Sequence, residues 1–110
     1  MKYRIHPEAE AEAEEAAEWY GAQVPTLAIE FARQYALAID WIVEKPKQYA
    51  LADDAPPDVE CRNMLRLGRF PYRVVYALIG DEIYFIAVAH HSRKPGYWTS
   101  RVTDSPPETT

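Results

Sequence analysis

The spacing of hydrophobic and polar residues changes character several times along the chain. KYRIH at residues 2–6 alternates Tyr3 and Ile5 with polar neighbours, the two-residue period of a short strand. Pro7 suits a first helical position, and Glu8 and Glu10 follow it at the positive end of the helix dipole. PEAEAEAEEAAEWY consists almost wholly of strong helix formers, with Ala9, Ala13, Ala16, Ala17 and Tyr20 on one face, the glutamates on a solvated face, and Gly21 as its end. Pro25 opens a second helix in which Leu27, Phe31, Tyr35, Ala38 and Ile42 recur at three- and four-residue spacing. Pro46 stops it. The link at 21–24 is short, so the two helices form an antiparallel hairpin.

The period then drops to two. Residues 46–60, PKQYALADDAPPDVE, show no period and read as a surface loop. CRNMLRL, YRVVYALI and EIYFIAVAH read as three strands, the last two joined by Gly80-Asp81 as a two-residue hairpin loop. The order β-α-α-β-β-β predicts an α+β domain: a helical hairpin packed on a small, mainly antiparallel sheet. Residues 1–101 form the single domain, and the polar, proline-bearing 102–110 read as a disordered tail.

Hairpin register gives the sheet two faces. With Ile79 opposite Glu82, an unbroken ladder sets Arg73 opposite Val88 and Pro71 opposite His90. Arg73, Val75, Ala77, Tyr84, Ile86, Val88 and His90 then share one face. Tyr72, Val74, Tyr76, Ile83, Phe85, Ala87, Ala89 and His91 share the other, the more apolar one, which should meet the helices. Arg73 and His90 become diagonal neighbours, roughly 7–8 Å apart at the backbone.

Charge sharpens this picture. The chain carries −5 overall, but residues 61–101 hold seven Arg and Lys against Asp81 and Glu82, a balance of +5. An acidic molecule has no general attraction to nucleic acid, yet this half can present a basic surface. Arginine suits a phosphate or carboxylate, and histidine exchanges a proton near neutral pH. Arg93, Lys94, Tyr97 and Trp98 follow His90 and His91 closely, and aromatics beside cations suit an exposed base. Each also fits a structural role: Arg73 binding an acid of the sheet, Tyr97 and Trp98 anchoring the C-terminus on the core. His6, His90, His91 and Cys61 lack metal-ligand spacing, and there is no glycine-rich phosphate loop, so neither metal nor cofactor is expected. The single cysteine forms no internal disulfide, and no apolar run is long enough to span a membrane; the expected compartment is the cytoplasm.

HPEAEAEAEEAAEWY, LRLGRFPYRVVYAL and IYFIAVAHHSRKPGYWTSR, in this order over residues 3–101, resemble the RelE/ParE toxin superfamily of type II toxin–antitoxin systems, which includes plasmid-stabilisation proteins. The resemblance implies the same fold and a growth-inhibiting bacterial toxin neutralised by a cognate antitoxin. It leaves two modes of action. RelE-like members are ribosome-dependent mRNA endoribonucleases; there Arg73 matches the phosphate-binding arginine, Arg66 a basic residue of the second strand, and His90, His91, Arg93 and Tyr97 the groups at the last strand's end. A second basic position is Met64 here. ParE-like members poison DNA gyrase without catalysis. The acidic balance and sparse cations of the second strand favour the gyrase mode. A nuclease would use Arg73, His90, His91 and Tyr97 in catalysis; in either mode Arg66, Arg73, Arg93, Lys94 and Trp98 would contact target or phosphate. Expected partners are the antitoxin and either gyrase or the ribosome with its mRNA, and no membrane. Arg73→Ala is expected to remove toxicity without unfolding the domain.

Overall fold

A computed structural model describes residues 2–104. Strand β1 (Lys2–Ile5) leads into helices α1 (Pro7–Gln23) and α2 (Pro25–Glu44). Strands β2 (Ala50–Leu51), β3 (Glu60–Met64), β4 (Tyr72–Ile79) and β5 (Glu82–His90) follow, and a 3₁₀ helix spans Thr99–Thr103. The five strands lie in the order β1-β5-β4-β3-β2, with β1 parallel to β5 and every other pair antiparallel. This is the expected α+β arrangement, enlarged by β2 within the segment read as loop.

The helical hairpin is tighter than the sequence suggests. His6 caps α1, its Nδ1 accepting the Glu8 N–H at 3.0 Å, and Pro7 opens the first turn. Gly21 does not end α1, which runs on to Gln23 and leaves only Val24 before α2. A Cβ on Gly21 would lie 2.8 Å from the Ala28 Cβ, so glycine here lets the two helices approach. Phe31, Ala38 and Ile42 of α2 are buried as their spacing predicts.

The β4–β5 ladder follows the expected register from Ile79↔Glu82 to Tyr76↔Phe85 and then slips, because Val75 pairs with Ala87 and Ile86 is left unopposed. This is a β-bulge. Its consequence is a change of face. Beyond it, Arg73 lies opposite Ala89 and Tyr72 opposite His90. His90 therefore does not share a face with Arg73; it stands on the helix side, its ring edge-on to Tyr72 with centroids 5.0 Å apart.

Both faces of the sheet are buried. On the helix side Phe31, Ile42, Val74, Tyr76, Phe85 and Val88 pack together. On the far side Cys61, Val75, Ala77, Tyr84, Ile86 and Ala87 pack against Trp98 and Val102. The chain after β5 thus folds back as the cover of the second face. Ordered packing continues past residue 101: Val102 is buried, the Tyr84 hydroxyl donates to the Asp104 carbonyl at 3.0 Å, and the Asp104 carboxylate meets His6 Nε2 at 3.1 Å. The rest of the tail read as disordered, 105–110, lies outside the described residues.

Candidate functional site

The C-terminal ends of β3 and β5, the start of β4, and the loops at 52–54 and 91–98 enclose a cleft of about 450 Å³, lined by Leu51, Asp53, Asp54, Asn63, Leu65, Arg73, His90, His91, Arg93 and others. Four of the expected site residues, Arg73, His90, His91 and Arg93, meet here despite the bulge, because His90 reaches the cleft from the strand's end.

Arg73 is already committed. Its Nη1 donates to Asp54 Oδ1 at 3.0 Å and to Asn63 Oδ1 at 3.2 Å, and its Nη2 pairs with Asp54 Oδ2. Asp54 Oδ2 accepts two further bonds, from the Gly96 N–H at 2.8 Å and from Trp98 Nε1–H at 3.1 Å. Burial alone would raise the Asp54 pKa, but the Arg73 hydrogen bonds, the Gly96 N–H and the Arg73 charge outweigh it and hold the carboxyl at about 2. Asp54 is thus ionised at neutral pH, and it fastens the loop before β3 to β4 and to the C-terminal cover. The bland alternative for Arg73, an acid of the same domain, is the one realised. Trp98, expected to touch a target, is completely buried, and its indole serves Asp54 instead. Sequence reasoning missed Asp54; two adjacent aspartates in an otherwise featureless loop were its only signal.

A second buried ion pair was also missed. Glu12, read as part of a solvated face, projects from α1 to the C-terminal cover. It accepts from Arg101 Nη1 at 2.9 Å, from the Tyr97 hydroxyl at 2.7 Å and from the Val88 N–H at 3.0 Å. Arg101 Nη1 also donates to the Ile86 carbonyl at 3.2 Å. β1 ends opposite Phe85, so these two side chains supply the hydrogen bonds that a longer neighbour strand would give to β5. Burial first, then the Glu12 carboxylate, pushes the Tyr97 phenol far up, so Tyr97 stays protonated and donates to Glu12. Arg93 stacks over the Tyr97 ring at 3.9 Å from the centroid.

The histidines are partly occupied. His90 Nδ1 accepts the Ser92 N–H at 3.0 Å and the Ser92 hydroxyl at 2.7 Å, which leaves the proton of the neutral ring on Nε2. His91 Nε2–H donates to the Leu65 carbonyl at 2.9 Å and ties the end of β5 to the segment after β3. Of the remaining candidates, Arg66, Arg93 and Lys94 are exposed and form no ion pair among the described residues, whereas Arg62, Arg69, Arg73 and Arg101 are all paired. Four of the seven cations of residues 61–101 are therefore neutralised within the domain. Cys61 is buried, and burial, reinforced by Asp54, raises its thiol to about 11. Among the described residues no three His, Cys, Asp or Glu side chains cluster to hold a metal ion. No helix among them is long and apolar enough to cross a membrane.

The family described as the ParE toxin of type II toxin–antitoxin system, parDE, matches residues 3–95. The chain belongs to this family. A solved structure described as the chromosomal ParDE TA system from P. aeruginosa has the same fold, with a TM-score of 0.68 and 19% identity over 82% of this chain and 95% of that one. No curated protein matches. As a ParE-family toxin, the chain is the toxin component of a type II toxin–antitoxin system, and its fold is the family's hairpin-on-sheet. In its strand-end cleft Arg73 is paired with Asp54, Tyr97 donates to Glu12, and Trp98 is core.

Proposed function

We propose that this toxin inhibits growth by binding DNA gyrase, without catalysis, and that a cognate antitoxin neutralises it in the cytoplasm. The observation that carries this reading is the Arg73–Asp54 pair. A ribonuclease of this fold needs a free guanidinium to bind the scissile phosphate and a base to activate the 2′-hydroxyl. Here the guanidinium faces two acceptor side chains of its own domain. An incoming phosphate would have to displace a carboxylate held by four hydrogen bonds and meet its negative charge. The membership in the ParE family and the chain's acidic net charge support the same choice of target.

Induced expression in cells, read by two reporters at once, tests it. The expected result is arrested growth with a DNA-damage response while translation continues, and loss of supercoiling activity when purified toxin is mixed with gyrase. A rapid stop of translation with transcripts cut in ribosome-bound reading frames would replace the gyrase reading with the nuclease one. Unimpaired growth would remove both.

A further inference from the structure

The sheet has an open edge beside the strand-end cleft. Ala52 N–H donates to the Cys61 carbonyl at 2.9 Å, and Leu51 pairs with Arg62 one residue earlier. In an antiparallel ladder the hydrogen-bonding direction alternates, so the Leu51 N–H and C=O point away from β3, out of the sheet. Nothing follows β2 in the strand order. Leu51 is 59% exposed and Leu65, on the same rim, 61%. Of the eight large apolar side chains exposed among the described residues, these two line the cleft. An outward-facing peptide group at an open edge, with the exposed Leu51 and Leu65 beside it, is a template for strand addition.

Charge selects the occupant. Arg73 cancels Asp54, which leaves Asp53 as the one unpaired carboxylate of the cleft wall among the described residues. Against it stand Arg93 in the wall and Arg66 and Lys94 next to wall residues. In a molecule of net charge −5 this is a local excess of positive charge beside an apolar rim. We infer that this edge and cleft receive an extended peptide segment of a protein partner in which apolar side chains alternate with carboxylates. The peptide adds as a strand at Leu51 and sets its acids against Arg93, Lys94 and Arg66. The inference rests on the toxin reading, in which the partner is the neutralising antitoxin, but the surface is tested without it.

The probe is a fluorescein-labelled octapeptide of alternating aspartate and leucine, with the lysine–leucine octapeptide as its mirror in charge. The expected result is saturable binding of the acidic peptide only. The Leu51 amide should gain protection from hydrogen exchange, and affinity should fall at least tenfold in R66E/K94E and in L65E, with unchanged melting temperatures. Equal binding of the basic peptide, protection elsewhere than β2, or insensitivity to both variants overturns it. So does displacement of the peptide by an oligouridylate that binds the same cations more tightly, because the surface would then belong to nucleic acid. A toxin that arrests growth yet binds no acidic peptide refutes the surface alone; a chain that binds the peptide yet leaves growth untouched refutes the toxin reading alone.

Discussion

Replacing Asp54 by asparagine preserves the shape of the side chain and removes its charge, which isolates what that charge contributes. In the folded protein the carboxyl titrates at about 2 against an ordinary 3.8. At ~1.4 kcal/mol per pH unit, this depression is worth roughly 2 kcal/mol of stability. The Arg73 and Asp54 side chains are only 19% and 13% exposed, so little of this is lost to solvent screening. The amide adds a second penalty. One of its two atoms must present N–H groups to a site where Arg73, Gly96 and Trp98 all donate, and one orphaned buried donor costs about 1–3 kcal/mol. Together these lower the melting temperature of a domain this size by ~10–20 °C at pH 7. The pH dependence follows from the sign of the shift. A depressed carboxyl stabilises above its unfolded pKa and loses that contribution as pH falls toward its folded value. At pH 3 roughly half the charge contribution remains, so the gap between parent and Asp54→Asn should narrow by about 1 kcal/mol between pH 7 and pH 3. Thermal unfolding followed by circular dichroism at both pH values measures this. A variant melting within about 3 °C of the parent at pH 7, or a gap that widens on acidification, would refute the reasoning.

Glu12→Ala leaves Arg101 buried without its partner and strips an acceptor from Val88 and Tyr97, so chemical denaturation should show a loss of about 3–5 kcal/mol. Gly21→Ala should destabilise by about 1–3 kcal/mol, despite alanine's better helix propensity, because its Cβ meets Ala28 across the hairpin; a rise in melting temperature would show that the corner yields freely. Native Cys61 should resist iodoacetamide at pH 8 over hours and react within minutes in denaturant, because its thiol is both buried and raised to about 11; mass spectrometry of the alkylated protein decides.

The elements themselves were legible because each has a clear period: α2 from its three- and four-residue spacing, the β4–β5 hairpin from Gly80-Asp81 between two β-rich runs. What failed was long-range. The bulge at Ile86 is marked by no local pattern in the sequence. One unopposed residue was enough to carry His90 across the sheet and to undo a register argument that was correct for four pairs. The second core had a visible signal. Val75, Ala77, Tyr84 and Ile86 made the face opposite the helices apolar as well, and a face of that kind needs a cover. Two unassigned segments could provide it, the 46–60 loop, which contributes Ala52, Ala55 and Val59, and the chain after β5, which contributes Tyr97, Trp98 and Val102. Of the two roles the sequence offers for these aromatics, anchoring the C-terminus on the core is the one Trp98 takes, and the demand for a cover is the argument that favours it. Asp54 and Glu12 were invisible for a different reason: each is one acid among several in an acidic stretch, and only the fold singles out which one is buried.

The same ion pair changes how Arg73 can be tested. From the sequence alone, Arg73→Ala should leave the fold intact, on the ground that it removes a charge rather than an apolar contact. The structure reverses this, because the substitution strands the Asp54 carboxylate under the C-terminal cover. Breaking a buried pair from one side costs about 3–5 kcal/mol, most of it the penalty of the abandoned charge. Loss of toxicity in that variant would therefore say nothing about a target. The informative variant changes both partners, Arg73→Gln with Asp54→Asn. The asparagine oxygen can still accept from Gly96 and Trp98 while its amide donates to the glutamine, so no donor is orphaned and no charge remains. At least half of the stability lost in Asp54→Asn alone should return. If Arg73 acts only through Asp54, toxicity should return with it. A double variant that melts near the parent temperature but leaves cells growing would place Arg73 in contact with the target and overturn the assignment of its guanidinium to the fold.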